Sequence, residues 1–227
     1  MSSRKQHGFL KKGVILLSGG IDSVTTLYFA RKNGYKLIAL IFDYRQRHKK
    51  EIRQAEKIAK INKVGYYRLK IDLAWTKSSL TRKNIEVPSG RDLSGKEIPS
   101  TYVSARNVIF LSYAFSLADS WGAKKIFIGA HTQDYSGYPD CRPEFLKSFE
   151  SAVNLGIKQK GVKIAAPLIK KDKKGIIKMG RSLGVPFELT WSCYQGGEFP
   201  CLECDSCRFR IRAFESLGME DPLLRRR

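Results

Sequence analysis

At 227 residues the chain has the length for one core domain with an appendage. Forty-two Lys and Arg against 21 Asp and Glu leave a formal charge of +21, which favours polyanionic partners such as nucleotides or nucleic acid without naming any of them. The first dozen residues are polar and basic without the apolar core of a signal peptide, and no run approaches the ~18 apolar residues of a membrane span, so a soluble cytoplasmic protein with no membrane partner is expected.

The first element is the apolar run Val14-Ile15-Leu16-Leu17, which reads as a buried parallel strand. Directly behind it come Ser18-Gly19-Gly20-Ile21-Asp22-Ser23, and behind those a helical pattern over 22–33 that ends at Asn33-Gly34. Paired glycines let the main chain approach a ligand, the serines add hydroxyl donors, and unpaired amides at a helix N-terminus face an anion. No lysine follows the glycines, so this is not a Walker A loop. A loop of amides and hydroxyls suits holding a pyrophosphate rather than transferring a terminal phosphoryl group. A ligand-free turn is the plain alternative. The whole string after a strand resembles the PP-loop signature of the ATP pyrophosphatase superfamily, whose members adenylate an oxygen of their substrate and release pyrophosphate.

Further apolar runs stand at 37–42, 66–69 and 126–129, with a fifth candidate at 162–166. Between them lie helical patterns over 46–62 and 102–121, the second carrying Phe110, Tyr113, Ala114, Leu117, Ala118 and Trp121 at three-then-four spacing. Alternation of strand and helix predicts an α/β fold with a parallel sheet covered on both faces, and ligands in such sheets bind beyond the carboxyl ends of the strands. The segments after Leu17, Phe42 and Gly129 should therefore share one rim. Residues 72–101 break the rhythm and read as a mobile lid or binding loop that would close over the site. Basic residues crowd 158–181, where Lys170-Lys171-Asp172-Lys173-Lys174 fills a turn and helix start. Without interleaved aromatic residues this stretch reads as a solvated surface rather than a nucleic-acid site.

Cys193, Cys201, Cys204 and Cys207 have the spacing C-x7-C-x2-C-x2-C. In a chain without secretory features, four such thiols point to a metal, and a closed thiolate set to one structural zinc, with iron–sulfur ligation as the rival. A helix is expected from about 205 to 217, and the zinc would hold this short stretch against the main domain. The organisation expected is a nucleotide-binding domain over 12–189 and a zinc-binding segment over 190–222. Cys141 stands apart and reads as a packed thiol.

Five segments together resemble the 7-cyano-7-deazaguanine synthase (QueC) family over 12–222. They are Leu17 through Ser23, Phe42-Asp43-Tyr44-Arg45-Gln46-Arg47-His48, Tyr102-Val103-Ser104-Ala105-Arg106-Asn107, the run from Asp134 to Phe145, and Thr190-Trp191-Ser192-Cys193 onward. The family usually has Gly where Arg45 stands and Pro where Ser104 stands. The resemblance implies a doubly wound, mostly parallel sheet of the adenine nucleotide alpha hydrolase type, with ATP, magnesium and one zinc. It implies a ligase forming a C–N bond, converting 7-carboxy-7-deazaguanine and ammonia to the nitrile precursor of queuosine or archaeosine. Nucleic acid is not an obligatory partner, and a homodimer is allowed. A PP-loop tRNA thiolation enzyme, a relative adenylating another acid and a non-catalytic nucleic-acid binder stand as alternatives.

On this reading ATP is held by Leu17, Ser18, Gly19, Gly20, Ile21, Asp22 and Ser23, by the first helical turn Val24, Thr25, Thr26 and Leu27, and by Arg47 and His48. Asp22 caps the helix or helps place magnesium. Arg106 and Arg142 neutralise the substrate carboxylate or its adenylate, a task to which a two-pronged guanidinium is suited. Asp134 and Asp140 are expected on the guanine-like edge of the substrate, with Tyr135 and Tyr138 stacking on its ring and Asn107 also binding the substrate.

Overall fold

The computed structural model describes residues 11–89, 98–131 and 138–226. Five parallel strands form one sheet: β1 (Lys11–Leu16), β2 (Tyr35–Asp43), β3 (Gly65–Lys70), β4 (Lys125–Phe127) and β5 (Lys163–Ala165). Their order across the sheet is β3-β2-β1-β4-β5. The chain thus moves outward from β1 in one direction through β3 and then returns to its other side with β4, which puts a topological switch point at the carboxyl end of β1.

Both faces of the sheet are covered, and the continuous apolar run of β1 follows from that. Ile15 and Leu17 face α1 (Ile21–Lys32) and α2 (Lys50–Ile61), together with α5 (Lys173–Ser182) and α6 (Asp205–Glu215). Val14 and Leu16 face α3 (Arg106–Trp121) and α4 (Pro143–Gly156), where Phe42 of β2 stacks on Phe110 at 3.9 Å between ring centroids. A one-sided sheet would have alternated polar and apolar residues here.

The five expected strands are present with boundaries within a few residues, but two helices start later than their patterns suggest. Residues 46–49 lie outside α2, because Gln46 turns its side chain back onto the loop: its amide oxygen accepts from Tyr44 N and its amide nitrogen donates to Phe42 O. Helix α3 starts at Arg106 because Ala105 takes a left-handed backbone (φ 53), and the Asp140 carboxylate accepts from Asn107 N at 2.8 Å. Helix α4 had no counterpart in the expected elements. Its signals are Pro143 at the first helical position and an inward Leu146 beside half-buried Phe149 and Val153.

The described part of 72–101 is a pinned wall rather than a free lid. Leu73, Thr76, Ser78, Ser79, Leu80 and Val87 are buried, and Ser89 bridges to Cys204. Residues 90–97 of that segment lie outside the described ones. The C-terminal segment is also joined to the core, since Ala213 and Phe214 of α6 pack in the same cluster as α1 and α5. Among the described residues no helix is long and apolar enough to cross a membrane.

Candidate active site

A cavity of about 260 Å³ opens at the carboxyl ends of β1, β2 and β4, where the switch point predicts it. Its floor is the turn after β1. Gly19 has φ 84, and a β-carbon there would come within 2.4 Å of the carbonyl oxygen of Glu51, so both the backbone angle and the contact require glycine. Gly129, just past β4, likewise lies against Asp22 and Ser23, with only 3.0 Å left for an added β-carbon. The turn is braced internally. Ser23 Oγ accepts from Ser18 N at 3.2 Å and donates to Gly20 O at 3.1 Å. Gly20, at the cap position of α1, has no side chain to satisfy the first-turn amides, which leaves them for an anion.

Leu17, Ser18, Gly20, Ile21, Asp22 and Ser23 line the cavity as expected, whereas Gly19 supports it from behind. Val24, Thr25, Thr26 and Leu27 turn into the core with no exposure, so of the stretch expected to hold ATP nothing past Ser23 lines the cavity. The Thr26 hydroxyl is used on Asp22 O. Arg47 and His48 reach the cavity, but the Arg47 guanidinium donates to the carbonyls of Ser79, Arg82, Lys83 and Ile85. Those bonds fasten the wall. His48 Nδ1 is buried with no hydrogen-bond partner among the described residues.

Asp22 neither caps α1 nor stands open to a metal. Lys173, the first residue of α5, places its ammonium 2.8 and 2.9 Å from the two Asp22 oxygens and 3.1 Å from His131 Nε2. Burial alone would raise the Asp22 carboxyl, but Lys173 and His131 outweigh it and hold it well below the usual carboxylate range. Lys173 is only 16 % exposed. The basic run read as a solvated surface thus sends one lysine into the site, and Asp172 aims it by capping α5, its carboxylate accepting from Gly175 N at 2.7 Å.

The opposite wall comes from α3 and the loop after β2. Arg106 donates to Tyr44 Oη at 3.1 Å and has no carboxylate within ion-pair distance among the described residues. Burial raises the Tyr44 hydroxyl to about 12, so it stays protonated beside that guanidinium. Asn107 lines the cavity with its side chain donating to Cys141 Sγ at 3.1 Å, and Tyr138 joins it, hydrogen-bonded to Thr101 Oγ1 at 2.9 Å. Asp140 is drawn away to cap α3. Arg142 is exposed at the start of α4 and does not line the cavity, because as the residue before Pro143 it lies in extended backbone pointing the chain into a surface helix. Asp134 and Tyr135 lie outside the described residues.

Beside this cavity the four cysteine sulfurs of 193–207 fall within 4.8 Å of one another. Four thiolates about a tetrahedral zinc stand about 3.8 Å apart at their ordinary bond lengths, so the donor set fits that ion. Without a metal the sulfurs conflict. Cys204 and Cys207 donate toward Cys193 and pull its pKa down, while the Cys193 thiolate pushes Cys204 up to about 12. The segment is tied to the phosphate turn by Trp191, whose amide donates to Gly19 O at 2.9 Å and whose ring carries the Lys50 ammonium at 3.9 Å from its centroid.

Among solved structures, the NMN synthetase from Francisella tularensis is similar over 94 % of this chain and 81 % of its own, with a TM-score of 0.51 at 17 % identity. A predicted tRNA methyltransferase subunit from Methanocaldococcus jannaschii gives the same score over 93 % of this chain and 91 % of its own, also at 17 % identity. These likenesses carry the fold alone. In sequence, the 7-cyano-7-deazaguanine synthase of Trichodesmium erythraeum is 48 % identical over 94 % of this chain and 100 % of its own. The enzyme of that name from Thermoplasma acidophilum is 51 % identical over 94 % and 91 %. The family described as queuosine biosynthesis protein QueC matches residues 12–218, which takes in the phosphate turn, both cavity walls and the cysteine cluster, and the chain belongs to that family.

Proposed function

We propose that the protein converts 7-carboxy-7-deazaguanine and ammonia to 7-cyano-7-deazaguanine at the expense of ATP, by activating first the acid and then the amide. One observation supports this most: in a chain aligned over 94 % of its length with a synthase of that name, the anion-binding turn and the Arg106 guanidinium, which has no carboxylate within ion-pair distance among the described residues, face each other across a single cavity. Neither a carboxylate nor an amide oxygen leaves carbon unaided. Attack of the substrate carboxylate on the α-phosphorus of ATP gives an acyl adenylate and pyrophosphate; ammonia then displaces AMP. The amide oxygen repeats the attack, and loss of AMP leaves the nitrile.

The protein's share is positioning and charge. The Ser18–Gly20 turn and α1 amides hold the pyrophosphate portion. Lys173, released from Asp22 as phosphate arrives, neutralises the departing charge, and Arg106 grips the carboxylate or its adenylate. Magnesium fits through the phosphates of ATP rather than through a protein cage, since both Asp22 oxygens are engaged and the only cluster of metal donors among the described residues is the cysteine set. That set would hold zinc with no open position, a structural role. Sulfur-transfer chemistry would call for redox cysteines or an iron–sulfur cluster at the cavity, and of the cysteines only Cys141 lines it.

The test is incubation of the metal-loaded protein with the deazapurine acid, ATP, magnesium and ammonium, following product mass and AMP. Nitrile with two AMP per product is expected. Absence of acid-dependent pyrophosphate release refutes the assignment.

A further inference from the structure

The proposed reaction needs a proton acceptor. Ammonia attacks only as the free base, ammonium dominates at neutral pH, and the nitrogen must shed further protons on the way to amide and nitrile. The groups described so far do not serve. Arg106 and Lys173 are cations, and Asp22, held ionised by two basic neighbours, is too weak a base.

One carboxylate in the cavity remains unused. Glu51, in the first turn of α2, lines the cavity alongside Ser18, His48 and Arg106. Its backbone carbonyl lies against Gly19, so the side chain is rooted on the phosphate turn itself. Gln46 Nε2 donates to Glu51 Oε1 at 3.1 Å, and Gln46 is itself fixed by its bonds to Tyr44 N and Phe42 O. The other carboxylate oxygen has no hydrogen-bond partner among the described residues. Burial raises the Glu51 carboxyl and outweighs the opposing pull of His48, Arg106 and Gln46. Next to it His48 presents a buried Nδ1 with no hydrogen-bond partner among the described residues.

We propose that Glu51 is the general base of both C–N steps, taking the protons that nitrogen gives up. In the first step an N–H proton of ammonium passes to Glu51 and its electron pair forms the C–N bond to the acyl carbon. The C–O bond to AMP breaks and its electrons leave on the phosphate oxygen; the remaining surplus proton follows to the carboxylate after the first has passed to solvent. In the second step the O-adenylated amide loses its two N–H protons in turn by the same route, the nitrogen electrons complete the triple bond, and AMP departs again. No oxidant or reductant is involved. A partly buried carboxylate with one oxygen open to the cavity is the kind of base such transfers use.

This inference rests on the reaction proposed above, and the experiment separates the two. Full-length wild type and Glu51→Gln are compared in acid-dependent ATP–pyrophosphate exchange, in amide formation from ammonium, and in hydroxamate formation from hydroxylamine, an amine already unprotonated at neutral pH. In Glu51→Gln, exchange should persist, which also certifies the fold. Amide formation should fall about 10²- to 10⁴-fold, and hydroxamate formation far less. The proposal is overturned if the variant makes amide at the wild-type rate, if hydroxylamine and ammonium lose rate equally, or if exchange is lost with them. Failure of wild type itself to exchange would instead strike the proposed function.

Discussion

Lys173 shows how much a site can depend on a residue that its own sequence neighbourhood disguises. Four lysines surround Asp172, and nothing in their order says which turns inward. The choice is made by the helix cap: with Asp172 bonded to Gly175 N, the first residue of α5 points at Asp22. Substitution Lys173→Met should lower acid-dependent pyrophosphate exchange about 10²- to 10³-fold, the scale of removing one preorganised donor from a developing charge. It should also destabilise the fold by about 2 kcal/mol at neutral pH, as expected for a charge-assisted pair. The sign with pH follows from the Asp22 carboxyl, which lies lower when folded than unfolded. The stabilisation is complete above the ordinary carboxylate range and is lost as pH falls toward the folded pKa. Urea unfolding at a series of pH values should therefore show the two proteins converging in acid. Arg45 is the other residue whose meaning needed coordinates. It holds φ 63 where the family favours glycine, and its guanidinium reaches Asp72 in an exposed pair at 2.8 Å. Because such a pair contributes little and a left-handed non-glycine is strained, Arg45→Gly should raise stability by about 0.5–1 kcal/mol, read from the urea midpoint.

At the scale of elements, what could be read from sequence was whatever depended on local pattern. The strands announced themselves because a sheet covered on both faces needs unbroken apolar runs, and the phosphate turn because its position between strand and helix carries its chemistry. Element starts did not, because they are set by distant partners. Asp140 caps α3 from beyond β4, and Arg47 holds down a segment more than thirty residues away, which converts an expected lid into a wall. The C-terminal helix repeats the lesson. Arg210 of α6, 3 % exposed, donates to both oxygens of Asp221 and to Thr190 Oγ1 and Phe187 O. No local spacing reveals that pairing. Asp221→Ala would strand a buried guanidinium and should cost about 3–5 kcal/mol, seen as a lower urea midpoint, with α6 loosening from α1 and α5.

Across the whole molecule, the cysteine segment is joined directly to the turn after β1. Trp191 is 2 % exposed and lies two residues before the first cysteine; its amide holds Gly19 O, and Lys50 of α2 covers its ring. The four sulfurs lie within 4.8 Å of one another, a spacing that suits a shared cation. A metal held by these four sulfurs would supply folding energy to the segment that backs the turn after β1. Titration with a zinc chelator should release one equivalent of zinc per chain, and the KM for ATP should rise in step with the zinc lost. The far-UV circular dichroism of the sheet and its helices should fall only later. If metal-free protein keeps its affinity for ATP, Trp191 does not transmit the cluster's order to Gly19, and the segment is an appendage after all.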